Sequence, residues 1–151
     1  MDPNYTWQII SLVILIVLSS FFSMSETALM SLSRIRLRHM VEAEVPDAKL
    51  VEKLTKDPNR LLGTILIGNS VANIGASAMA TVLATNVFGN SGVGIATGII
   101  TVLVLIFGEI TPKSIAKQKS EAVALRVARP IEFLVIIFKP LVYIFTAISS
   151  M

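Results

Sequence analysis

Residues 61–108 read LLGTILIGNSVANIGASAMATVLATNVFGNSGVGIATGIITVLVLIFG, 48 residues in succession without one Asp, Glu, Lys or Arg. About 20 apolar residues suffice to cross the ~30 Å hydrocarbon core of a bilayer. The stretch is therefore too long for one span and too apolar for a loop in water. It also carries its own break: NVFGNSGVG, residues 86–94, concentrates the Gly, Asn and Ser that turn a chain rather than continue a helix. Two spans joined by a tight turn follow, one over 61–85 and the other over 93–112.

Upstream, Tyr5–Met24 is a second apolar run, with Tyr5 and Trp7 at its outer end as interface anchors. It is longer than a signal-peptide core, lacks a basic n-region, and leads into Glu26 rather than a small-residue cleavage site, so it reads as a first span over 5–30. All 13 Lys and Arg lie within 34–60 and 113–139. The first of these segments, with seven basic and five acidic residues plus Pro46 and Pro58, reads as a juxtamembrane linker with amphipathic helix on the membrane surface. The positive-inside rule puts both basic regions in the cytoplasm and the uncharged turn outside. Three crossings then leave the N-terminus outside and the C-terminus cytoplasmic. The segment 120–151 is expected to be juxtamembrane and kinked rather than a fourth span. A crossing there would bring Lys139 near mid-bilayer at about 2.5–3.5 kcal/mol, and Pro140 would interrupt the helix. The expected fold is one all-α domain over 1–151: three transmembrane helices with juxtamembrane amphipathic helices, in a multi-pass protein of the cell membrane.

Composition narrows the function classes. Hydrophobic residues make up 54% and charged residues 15%, against roughly a quarter charged in soluble domains. The absence of Cys excludes disulfides and thiolate metal sites. The single His39 follows three arginines and reads as a surface or lipid-headgroup contact. A net charge of +3 is spread along the membrane flanks, so nucleic acid is not an expected partner. No enzyme is expected either: intramembrane proteolysis would need a histidine or a second acid within the spans to activate a serine.

Polar groups inside a bilayer are tolerated where they pair, face a wet cavity or bind something. Three clusters qualify: Ser20 with Ser23, Ser25 and Glu26 in and beside FFSMSETAL; Asn69, Ser70 and Asn73 in IGNSVAN; Gly108, Glu109 and Pro112 in GEITPK. Ser25 precedes Arg34 by nine residues and Asn69 follows Arg60 by nine, which at about 1.5 Å per residue places both roughly 13 Å inside their basic flanks. Glu109 lies eight residues before Lys117, at similar depth. Pro112 has no N–H and so frees the carbonyl four residues earlier, that of Gly108. Hydroxyl, amide, carbonyl and carboxylate oxygens together suit a hard divalent cation. Duller readings stand beside this one. Glu109 and Lys113 have the spacing of a helical ion pair, the serines can bond back to their own helix, and Asn69 and Asn73 can simply join helices. The stripe Gly68, Ala72, Ala76, Ala80 and Ala84, repeated by Gly94 and Gly98, serves either packing within one chain or a dimer seam.

At these motifs the chain resembles the transmembrane domain of the CorC/CNNM family of magnesium transporters, over essentially its whole length. The resemblance implies a homodimer holding a dehydrated magnesium ion among its helices, open to the cytoplasm, with export coupled to sodium entry by alternating access. It points to Ser20, Ser23, Ser25, Asn69, Ser70 and Gly108 with Glu109 as metal-site residues, and Asn73 and Glu26 fall in the same motifs. It also implies cytoplasmic CBS domains, which bind ATP, outside these 151 residues. A non-transporting magnesium-sensing regulator or dimeric membrane anchor is the alternative that sequence does not separate.

Overall fold

A computed structural model describes residues 3–151, which form α-helices joined by short turns, with no strand among them. Helix α1 is Pro3–Ser31, α2 Arg34–Glu42, α3 Ala48–Thr55, α4 Pro58–Phe88, α5 Val93–Val104, α6 Thr111–Gln118, α7 Ser120–Ile137 and α8 Lys139–Ser149. A wide helical turn, Leu105–Ile110, connects α5 to α6, so Val93–Gln118 runs as one helix. Among the described residues three helices are long and apolar enough to cross a membrane: α1, α4 and Val93–Gln118, with mean hydropathies of 2.1, 1.4 and 2.3 over their most apolar windows.

Both α1 and α4 start at a proline, where the missing N–H is one the helix would leave unpaired anyway. Asp57 Oδ1 accepts the Arg60 N–H at 3.3 Å and starts α4. Gly89, at φ 67°, ends it in a left-handed conformation that costs glycine nothing. The second span is longer than its apolar stretch at both ends, because Asn59, Arg60 and Asn86 continue the helix beyond the segment that lipid requires. The third continues through Pro112 to Gln118 rather than ending there.

The chain divides into two compact units. The first comprises residues up to Ser23 with Gly68–Pro112, the second Met24–Ile67 with Lys113–Met151. The first unit is built inside out relative to a protein in water. Its fully buried side chains include Ser19 and Ser23, whereas Val13, Ile14, Val17, Ile74, Ile99 and Phe107 are exposed. Lipid rewards this inversion: large side chains lose nothing by facing it, and small residues let backbones approach. Ala72, Ala76, Ala80 and Ala84 are all at most 3% exposed. Ala76 and Ala80 pack with Leu12, flanked by Leu15, Ile16 and Ile100. The stripe on α4 is thus consumed by packing within the chain. Gly94 and Gly98 have open space beside them.

In the second unit α3 packs against α2 and α7, burying Leu37, Met40, Val51, Leu54, Ala124, Ala128 and Ile131. Ion pairs Arg36–Glu121, Lys53–Glu132 and Arg129–Asp47 line its exposed rim. The Glu121 hydrogen bond and charge hold the Arg36 guanidinium above its ordinary pKa. Helices α7 and α8 meet at Phe138 with a 67° bend. At 11 residues α8 is about 16 Å long, half the hydrocarbon core.

Candidate cation site

The first unit contains a small polar centre whose members are set by helix periodicity. Asn69 and Asn73 lie one turn apart on α4 and share a face. Ser19 and Ser23 have the same spacing on α1, and both are 0% exposed. The helices come close because Gly68 has no side chain: a Cβ there would stand 2.3 Å from the end of the Phe22 ring. That approach brings the Ser19 hydroxyl 2.7 Å from Asn73 Oδ1 and 3.2 Å from Asn69 Oδ1. One proton therefore faces two amide oxygens, and a hydroxyl can donate only one. One turn further along α1, Ser23 Oγ is buried with no hydrogen-bond partner among the described residues. Unpaired oxygens in a dry setting are costly unless something positive satisfies them.

Span three supplies the remaining groups through its wide turn. The Thr111 N–H bonds to the Ile106 carbonyl, five residues back instead of four. Such π-type turns insert an extra residue into a helix and recur at functional sites. Gly108 is buried beside Ser19, with the position of its absent Cβ 3.2 Å from Ser19 Oγ. Glu109 is half-buried and lines a cleft of about 220 Å³ with Asn73, Ser77, Thr81, Thr97 and Thr101. Thr81 and Thr101 donate to the Ser77 and Thr97 carbonyls at 3.0 and 2.7 Å. Their protons are committed to the helix, so their oxygens offer only lone pairs to the cleft.

The charge balance points the same way. Among the described residues of this unit Glu109 is the only Asp, Glu, Lys or Arg. It forms no ion pair among the described residues, so the Glu109–Lys113 pairing suggested by their spacing is not made. No group of three or more His, Cys, Asp or Glu suited to a metal occurs among the described residues. Any cation held here would rest on neutral oxygens with one carboxylate.

Of the residues singled out from sequence, Ser23, Asn69, Asn73, Gly108 and Glu109 fall in this unit and around this centre. Ser20 is half-buried and Ser70 is exposed, each turned away from the Ser19–Asn73 contact by its place on the helix. Ser25, fully buried, and Glu26, half-buried, belong to the second unit. Ser19 went unnoticed in the sequence. The signal was its i, i+4 relation to Ser23, the same relation that picked out Asn69 and Asn73.

The family model described as the cyclin M transmembrane N-terminal domain matches residues 10–151. An inner membrane protein of Escherichia coli, YfjD, is 45% identical over 138 residues, covering 89% of this chain and 31% of its own length. A chloroplastic DUF21 domain-containing protein of Arabidopsis thaliana is 43% identical, covering 91% of this chain and 21% of its own length. A protein of Salmonella typhimurium named for polyamine export is 28% identical, covering 90% of this chain and 33% of its own length. The chain thus spans about a third or less of each of these relatives. With three membrane-spanning helices, an inner-membrane relative and a family match over nearly every residue, this multi-pass membrane chain belongs to the CNNM family, as its transmembrane domain.

Proposed function

We propose that this domain carries magnesium out of the cytoplasm by alternating access. The observation that carries the reading is the imbalance at Ser19, where one hydroxyl proton faces two amide oxygens, with a second buried hydroxyl unpartnered one turn away. A small divalent cation resolves that imbalance, because it accepts lone pairs from all of these oxygens at once. Asn69, Asn73, Ser19 and Ser23 are the protein ligands. Glu109 supplies compensating charge from the cleft, and water completes the octahedron, since magnesium dehydrates reluctantly. Neutral ligands suit a carrier: four carboxylates would hold the ion too tightly to release it. Sodium entry as the driving gradient, a homodimer as the working form, and CBS domains as cytoplasmic partners belong to the same proposal.

Flux in proteoliposomes tests it. Proteoliposomes loaded with magnesium should release it when an inward sodium gradient is imposed, and Asn73→Ala and Glu109→Gln should each abolish release. Magnesium binding without any flux would instead favour the sensing or anchoring role. A second reading rests on the relative named for polyamine export. A primary ammonium donates three hydrogen bonds and would also satisfy an acceptor-rich cleft. Putrescine replacing magnesium as the transported species, with the same sensitivity to Glu109→Gln, would decide for it.

A further inference from the structure

The second unit contains a cavity of about 710 Å³ that plays no part in the cation site. Its size lies within the ~300–1,000 Å³ usual for small-molecule sites. The first turn of α4 and one face of α8 form its walls. Val142, Tyr143 and Ile144 give apolar surface, while Asp57, Arg60 and Lys139 bring charge. The cations in this unit are not all alike. Arg36, Lys53, Lys56 and Arg129 are each paired with a carboxylate, whereas the other nine form no ion pair among the described residues, and of those nine Arg60 and Lys139 are the two on the cavity wall. Asp57 is the one carboxylate on the wall, and it already accepts the Arg60 backbone N–H. The cavity therefore has two unpaired cations against one engaged carboxylate, and is net positive.

Position adds to charge. Arg60 stands in the first turn of a membrane-spanning helix, where headgroups lie, and Lys139 shares its cavity. Beyond them α8 is apolar: Tyr143 is 76% exposed, and Ile144 and Phe145 are each 53% exposed. We propose that the cavity binds an anionic phospholipid, its phosphate between Arg60 and Lys139 and an acyl chain along Val142, Tyr143 and Ile144. Free phosphate would satisfy the cations and leave the apolar wall wet. A zwitterionic lipid would cover the wall and bring its own cation against the two already present. An anionic amphiphile matches both parts, and Arg suits a phosphate by its forked donors.

Native mass spectrometry of the full chain, from micelles containing equal phosphatidylglycerol and phosphatidylcholine, provides the test. Each basic residue near a membrane surface contributes about fivefold in affinity for anionic lipid. Arg60→Gln with Lys139→Gln should therefore lower the phosphatidylglycerol preference by roughly 25-fold. Lys49→Gln with Lys117→Gln, which removes two exposed cations elsewhere, should keep it. Lys139 is exposed, so Lys139→Gln alone should fold as wild type and lose about fivefold. The proposal is overturned if wild type shows no preference, if both charge variants retain it, if the control pair loses as much, or if glycerol 3-phosphate displaces the lipid at equal concentration.

Discussion

Gly68→Ala is the most informative single change, because it separates packing from chemistry. The added carbon would lie 2.3, 2.5 and 2.8 Å from three atoms at the end of the Phe22 ring, which is 6% exposed. Those distances are far inside van der Waals contact, so either the ring leaves its buried place or α4 retreats from α1. Overpacking of this kind costs about 1–3 kcal/mol, or roughly 2–12 °C in Tm at 2–4 °C per kcal/mol for a chain near this size. The retreat also reaches the next residue, Asn69. Its contact with Ser19 is 3.2 Å, already beyond the usual ~2.5–3.0 Å for O–H···O, so a shift of about 0.5 Å ends it. Magnesium binding should weaken with stability. Thermal unfolding and calorimetric titration in detergent would measure both for Gly68→Ala, for Gly68→Ala with Phe22→Leu, and for Gly98→Ala. The shorter leucine should relieve the clash and restore part of both losses, giving a favourable coupling in the double-mutant cycle. Gly98 has nothing within 4 Å, so its alanine should be silent. Equal effects of Gly68→Ala and Gly98→Ala, or no rescue by Phe22→Leu, would refute the close approach as the basis of the site.

Ser23→Ala should raise the stability of the magnesium-free protein by about 1 kcal/mol, since it removes a buried hydroxyl with no partner, while weakening magnesium binding; thermal melts with and without the ion would show opposite shifts. Ser19→Ala should reduce magnesium affinity and, by leaving two amide oxygens without their shared donor, cost about 1–3 kcal/mol in unfolding experiments. Glu44→Gly should be stabilising by about 0.5 kcal/mol, because Glu44 holds φ 58° at an exposed position, a conformation glycine adopts freely; a lower Tm would contradict that. Arg36→Gln should leave the melting temperature unchanged in 0.5 M salt, since its bond to Glu121 lies in solvent and is screened there.

The spans were legible because a bilayer imposes a long-range constraint that survives without any tertiary information. Residues 61–108 can avoid water only by crossing twice, and NVFGNSGVG marks where they turn. The pairing of Asn69 with Asn73 was legible for a related reason, since i, i+4 spacing fixes a shared helical face before any partner is known. Which face of α1 meets it was not. Ser19, Ser20, Ser23 and Ser25 look equivalent in a row of hydroxyls, and only the rotation of α1 about its axis distinguishes them. Gly68 against Phe22 sets that rotation, and no rule of local propensity pairs a glycine at 68 with a ring at 22.

The wide turn at Leu105–Ile110 was hidden by the same limit. Pro112 announces a missing donor, and the simplest repair in sequence terms is an open carbonyl at Gly108 in an otherwise ordinary helix. The chain instead adopts a five-residue register ahead of the proline. The extra residue turns Gly108 inward against Ser19 and leaves Glu109 facing the cleft. A normal turn would rotate both of them by about 100° relative to α5, the angle between successive residues on a helix. Deleting one residue between Val104 and Gly108 should therefore restore a regular helix and raise stability while turning both Gly108 and Glu109 out of their places in the site. A shortened chain that melts higher yet binds no magnesium would tie the irregular turn to function. One that binds as wild type would show the turn to be an accident of packing around the proline.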